Sequence, residues 1–171
     1  MEVLFTRAEI DRRVSEIASE INAKYFQDET TLICICLLKG GFIFTADLVR
    51  YLKPNTVVDF MNVSSYGDSH TSSGSVKIIQ DISCNIENKH VMIIDDIVDT
   101  GLTIHEIKKL LLSRNPKSVE VCCLLDKREN RKTEIEPDYY GFECPNKYVI
   151  GYGMDSANNY RHLPYVGALL I

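Results

Sequence analysis

Asp95, Asp96 and Asp99 lie within five residues of one another, and Thr100-Gly101-Leu102-Thr103 follows them directly. Two adjacent carboxylates can take a sugar diol or share a divalent cation. A small, hydroxyl-bearing turn that opens a helix can wrap a phosphate with backbone N–H groups, helped by the positive end of the helix dipole. Together they suit a ligand carrying both a sugar diol and a phosphate. Taken separately, the features have ordinary explanations: two solvated acids at a strand end, and an N-capped helix start. The order matters more than either part, because the apolar run Val91-Met92-Ile93-Ile94 stops at the acid pair and delivers it to the carboxyl end of a buried strand.

The surrounding pattern says how such a group is positioned. Thr6-Arg7-Ala8-Glu9 is a capping box, and Ile10, Val14, Ile17 and Ile21 follow at helical spacing, which predicts a helix over 7–25. Thr31 to Leu38 reads as a strand ended by Lys39-Gly40-Gly41, and Phe42 to Leu52 as a helix stopped before Pro54. Thr56–Val63, Val76–Gln80, Val91–Ile94, Val119–Leu125 and a final Tyr148–Tyr152 read as strands, and Thr103–Ser113 as a helix. Residues 64–75 are small and polar, as a flexible loop would be. Continuous apolar strands alternating with helices predict an α/β fold: a Rossmann-like, mainly parallel sheet flanked by helices. Ligands of such sheets bind beyond the carboxyl ends of the strands. There three polar triplets would meet: Lys39-Gly40-Gly41, Asp95-Asp96-Ile97 and Asp126-Lys127-Arg128.

Composition narrows the classes. The 171 residues, 45% hydrophobic and 25% charged, are read as one globular domain. A net charge of -5 argues against nucleic acid or an anionic membrane as partner. No apolar run reaches the ~20 residues of a membrane helix. The six cysteines include no C-x-x-C pair, and Cys34, Cys36, Cys122 and Cys123 sit inside apolar runs, so buried reduced thiols of a cytoplasmic protein are expected. His70, His90, His105 and His162 are scattered and form no metal motif. Neither a G-x-G-x-x-G nor a Walker loop is present.

Ile93-Ile94-Asp95-Asp96-Ile97-Val98-Asp99-Thr100-Gly101 resembles the phosphoribosyl-diphosphate signature of the type I phosphoribosyltransferases. Leu38-Lys39-Gly40-Gly41, Ser64-Ser65-Tyr66-Gly67, Leu125-Asp126-Lys127 and Tyr148 to Asp155 stand in the order found in the hypoxanthine-guanine phosphoribosyltransferases. The tail Tyr160-Arg161-His162-Leu163-Pro164-Tyr165 resembles the bacterial hypoxanthine enzymes. The likeness runs from about Leu38 to Tyr165.

The resemblance implies a purine-salvage enzyme acting on 5-phospho-α-D-ribose 1-diphosphate and a 6-oxopurine with Mg2+, as a homodimer or homotetramer. It implies one domain over residues 1–171, with a small hood built from N- and C-terminal segments (143–171 contributing to purine binding) and a lid at 64–75 that includes Ser65 and Tyr66. By the same resemblance Asp99, Thr100, Gly101, Leu102 and Thr103 hold the 5′-phosphate, and Asp95 and Asp96 face the ribose and its metal. Lys39, Gly40 and Arg161 hold the pyrophosphate, with a cis peptide expected at the Lys39 loop. Lys127, Tyr148, Val149 and Asp155 serve the purine, Asp155 also ligates magnesium, and Asp99 is the catalytic base. The first acid of the pair is often Glu in this family. Asp95 is one methylene shorter and reaches toward the ribose directly or through water. Two rivals stand beside this reading. One is a non-catalytic regulator that senses the phosphoribosyl donor. The other is a phospho-receiver domain, in which the Thr-Gly-x-Thr turn and the Tyr148–Asp155 segment would have no place.

Overall fold

In the computed structural model, which describes residues 1–65 and 76–170, the chain runs β1 (Glu2–Phe5), α1 (Arg7–Tyr25), β2 (Leu32–Leu38), α2 (Phe42–Val49), β3 (Thr56–Ser65), β4 (Val76–Gln80), β5 (His90–Val98), α3 (Leu102–Leu112), β6 (Ser118–Asp126), a 3-10 turn (Arg128–Asn130), β7 (Tyr139–Glu143), β8 (Val149–Ile150) and β9 (Val166–Ala168). Six strands form the main sheet in the order β4-β3-β2-β5-β6-β7. All run parallel except the edge strand β4, which pairs antiparallel with β3. The predicted mainly parallel α/β sheet is therefore present, and β2, β5 and β6, which carry the three polar triplets, are adjacent.

Alternation along the buried strands explains the two-sided cover. Cys34, Met92, Ile94, Cys122 and Leu124 face a core shared with Ile10, Val14, Ile17 and Ile21 of α1 and Phe44 and Leu48 of α2. Ile33, Ile35, Val91, Ile93, Val121 and Cys123 face the other core, with Ile104, Ile107 and Leu111 of α3. Each fully buried branched side chain contributes about 1.5–3 kcal/mol of transfer free energy, so both faces must be covered for these strands to stay in the sheet. The capping box at the start of α1 is formed: Glu9 N donates to Thr6 Oγ1 (3.3 Å) and Thr6 N donates to Glu9 Oε2 (2.8 Å).

Three differences from the sequence expectation have physical causes. The helix expected to reach Leu52 ends at Val49, where Tyr51 N and Leu52 N switch to bonds three residues back, onto Leu48 O and Val49 O. The strand expected to stop at Ile94 continues to Val98, because β6 still pairs with it (Asp95 with Cys123, Val98 with Asp126), and backbone pairing is indifferent to the acids' side chains. The strand expected over Tyr148–Tyr152 covers only Val149–Ile150, since Gly151 (φ +90°) and Tyr152 (φ +52°) turn away from extended backbone. Nor is it the last strand: β8 joins β9 and β1 in a small antiparallel sheet of order β1-β9-β8. This sheet brings the two ends of the chain together as a hood.

Candidate active site

The site lies where the sheet changes direction. From β2 the chain crosses to β3 on one side, and from β5 to β6 on the other, so the carboxyl ends of β2 and β5 diverge into a crevice. Pairing between β2 and β5 ends at Cys36 and Ile94. Beyond Ile94 one side of β5 is open, and the turn after β2 folds into the space. The peptide bond Leu38–Lys39 in that turn is cis, as the resemblance implied. Gly40 packs so tightly on Asp96 that a Cβ there would stand 2.0 Å from Asp96 Oδ2, and a Cβ on Gly153 would stand 2.4 Å from Gly40 O. Absent side chains thus bring the Lys39 turn, the acid pair and the hood loop into contact.

Asp95 and Asp96 are both half-buried. Each has one oxygen held by the next backbone N–H: Asp96 N donates to Asp95 Oδ1 (2.9 Å) and Ile97 N to Asp96 Oδ1 (2.7 Å). Burial raises the Asp95 carboxyl well above the usual range, and the charge of Asp96 adds to it. Burial also raises Asp96, against the hydrogen bonds it accepts and the Arg161 charge. Crowded acids of this kind are relieved by a proton or a cation.

Past the acids, Gly101 caps α3 in the left-handed conformation (φ +82°), and no side chain caps the helix. The first-turn N–H groups are left for an anion, apart from Leu102 N, which donates to Thr100 Oγ1 (3.3 Å). A cavity of about 250 Å³ sits over this turn, lined by the strand end from Asp95 to Thr100 and by Gly101, Thr103 and Ile104. At its rim Asp99 Oδ2 is 4.0 Å from Lys127 Nζ, and Asp99 Oδ1 is buried with no hydrogen-bond partner among the described residues. The Lys127 ammonium group, nearly buried, follows β6 directly.

The hood closes the other side. Arg161 Nη1 donates to Gly153 O (2.7 Å), and its Nη2 lies 3.2 Å from Asp155 Oδ1. Asn158 N donates to Asp155 Oδ2 (2.8 Å), and Tyr148 Oη donates to Asp155 O (3.2 Å). Tyr148 is exposed, whereas Val149 is buried within β8. Lys39 is exposed at the tip of its turn. Ser65 ends β3, while Tyr66 and the rest of the expected lid, 66–75, lie outside the described residues. Among the other expected positions, Gly40 meets Asp96, Lys127 faces Asp99, and Arg161 meets Gly153 and Asp155.

No group of three or more His, Cys, Asp or Glu side chains among the described residues forms a closed metal cage. Asp95 and Asp96 are two adjacent half-buried acids whose oxygens could contribute to the shell of a hard divalent cation otherwise filled by water and ligand phosphates.

Sequence reasoning placed Asp126 in a strand-end triplet without giving it a role, and did not single out Arg131. Asp126, fully buried, accepts from Arg128 Nε (2.7 Å) and from Arg131 Nη2. Arg131 is buried too, and its Nε donates to the main-chain oxygen of Asp99 (3.1 Å). Nothing in the charged run 128–132 distinguishes this buried arginine from its solvated neighbours.

A parallel-sheet crevice that joins an uncapped helix turn to a carboxylate pair is the site of a protein that handles a phosphorylated sugar. The phosphoribosyl transferase domain family matches residues 4–157, and the chain belongs to that family. It is 47% identical over 171 residues to the hypoxanthine-guanine phosphoribosyltransferase of Dictyostelium discoideum, covering 98% of this chain and 94% of that protein. To the hypoxanthine phosphoribosyltransferase of Buchnera aphidicola it is 44% identical over 170 residues, covering 99% and 96%. A crystal structure of a hypoxanthine-guanine phosphoribosyltransferase from Bacillus anthracis superposes with a TM-score of 0.95 at 36% identity, covering 99% of each chain. The chain is thus a phosphoribosyltransferase. The reading as a non-catalytic regulator finds no support, and the receiver-domain alternative falls with the family. Enzymes of this family typically need a divalent metal.

Proposed function

We propose that the protein serves purine salvage by moving the 5-phosphoribosyl group of 5-phospho-α-D-ribose 1-diphosphate to N9 of hypoxanthine, and of guanine, giving IMP or GMP and pyrophosphate. The names of its relatives support the substrate class. The observation that carries the reading is the Asp99–Lys127 pair at the rim of the phosphate turn, 4.0 Å apart, with one buried Asp99 oxygen unpartnered. N7 and O6 stand side by side on one edge of a 6-oxopurine. An acceptor and a donor at this spacing match a protonated N7 and the 6-oxo oxygen.

The residues then divide the work. Backbone N–H groups of residues 100–103 and the Thr100 and Thr103 hydroxyls hold the 5′-phosphate. Asp95 and Asp96 orient the ribose. Lys39, Gly40 and Arg161 bind the pyrophosphate, the Arg161 fork suiting phosphate oxygens. Tyr148 stacks on the base, and Val149 offers its carbonyl to the base edge. As the bond from C1 to the pyrophosphate oxygen breaks, its electron pair leaves with pyrophosphate, N9 bonds to C1, and the N7 proton passes to Asp99. Arg161 stabilises the departing charge. Asp95, Asp96 and Asp155 would hold magnesium, which when bound neutralises pyrophosphate charge. A reducing, cytoplasmic setting fits the six free cysteines, five of them buried.

The test offers purified protein the phosphoribosyl donor and magnesium with hypoxanthine, guanine and xanthine in competition. The expected result is base-dependent pyrophosphate release with hypoxanthine and guanine consumed. Release that does not depend on a 6-oxopurine overturns the proposal.

A further inference from the structure

The Asp99–Lys127 spacing needs something to hold it, because the two residues come from the ends of different strands. Main-chain bonds tie the segment after β6 to the end of β5: Lys127 N donates to Val98 O (2.9 Å) and Lys132 N to Thr100 O (2.8 Å). Between these two ties lies Arg131, whose side chain is 8% exposed. Its guanidinium makes three hydrogen bonds and also lies 3.5 Å from the exposed Glu136 carboxylate. Nε donates to Asp99 O at 3.1 Å, Nη2 donates to the buried carboxylate of Asp126, and Nη1 donates to Ile135 O. Its Cδ also backs the phosphate turn, 3.0 Å from where a Cβ on Gly101 would lie. One rigid planar fork therefore joins the backbone of Asp99 to the residue immediately before Lys127.

We infer that Arg131 is a positioning residue for base recognition: it touches no substrate, and its fork sets the separation of the Asp99 carboxylate from the Lys127 ammonium so that both meet one purine edge. This rests on the phosphoribosyltransferase reading above. Lysine cannot substitute fully, because an ammonium is a point charge without the fixed fork. Arg128 stays on Asp126 when Arg131 is replaced, so the buried acid keeps a partner.

The experiment measures steady-state turnover and the KM for hypoxanthine and for the phosphoribosyl donor in the parent, Arg131→Met, Arg131→Lys, Lys127→Ala and the Arg131→Met/Lys127→Ala double variant, with circular dichroism and melting as fold controls. Arg131→Met is expected to lower kcat/KM for hypoxanthine at least tenfold with a smaller change in donor KM, and Arg131→Lys to recover part of it. In the Lys127→Ala background the Arg131 effect should shrink to under threefold, since no pair is left to align. A merely structural arginine would cost the same factor in both backgrounds, and that result overturns the inference, as does an Arg131→Met variant within twofold of the parent. Should Arg131→Met not fold, Arg131→Lys carries the same comparison, and parent-like kinetics for it overturns the inference equally. A parent protein without base-dependent activity overturns the functional reading instead, which separates the two failures.

Discussion

Asp99 carries the sharpest expectation at the level of single residues. If Asp99 takes the N7 proton as proposed, Asp99→Ala should lower turnover by about 10²-fold or more, the usual scale for a positioned acid–base group. The melting temperature should barely move, which a thermal scan beside the kinetic assay checks. Asp95 should behave in the opposite sense. Burial and the Asp96 charge raise its carboxyl in the folded protein. A raised acid binds its proton more tightly folded than unfolded, so its contribution to stability falls as pH climbs from the ordinary carboxylate value through the raised one. Asp95→Asn removes that penalty and keeps an oxygen for Asp96 N. The ligand-free variant should therefore be more stable at pH 7, on the order of 1 kcal/mol, with the gain fading toward pH 4 and donor affinity reduced. A variant that melts below the parent at pH 7 contradicts this account of the pair.

At the scale of elements, the turn into α3 is the proposed grip on the 5′-phosphate. Gly101→Ala would force a side chain to φ +82° and drive its Cβ to 2.4 Å from Thr133 Oγ1. A loss of about 1–3 kcal/mol of stability and a raised donor KM are expected from denaturant titration and kinetics together. Asp59 offers an element-level pH test. Burial pushes its carboxyl up, but the N–H groups of Cys84, Phe60 and Ser83 outweigh this and bring it down to about 2. Its folded value lies below the ordinary one, so its stabilisation is complete above about pH 4 and is lost as pH falls through about 2. Asp59→Asn should flatten that stretch of the acid unfolding curve. The elements were unequally legible in the sequence. The first helix was plain because the Thr6–Glu9 box and the Ile10, Val14, Ile17, Ile21 spacing agree. The end of β5 was not, because its pairing with β6 is a backbone property that polar side chains conceal. The short strands β1 and β9 were also hidden, since among the described residues β1 pairs only with β9, and β9 with β1 and β8. At the site, ordered motifs revealed the residues that would touch ligand, whereas Arg131 was hidden because burial of a charge depends on a partner, Asp126, that only the fold supplies.

For the molecule as a whole, an unfinished surface lies along one end of the main sheet. Val57, Val58 and Phe60 of β3 and Ile78 and Ile79 of β4 are all exposed, Ile79 by 60%. We expect this edge to be covered in a homodimer or homotetramer, and light scattering on the protein and on a Phe60→Glu/Ile79→Glu variant tests it: a monomeric parent contradicts the expectation. The arrangement of the hood has a further consequence. Its middle strand, β9, pairs with β1 on one side and with β8 on the other, while Lys147 beside β8 reaches Glu2 (2.6 Å). The strand ahead of α1 and the strand that carries Val149 are therefore fastened through one three-residue ribbon. A proline at Gly167 would cut that fastening, and the loosened variant should lose its hold on a purine before its main sheet melts.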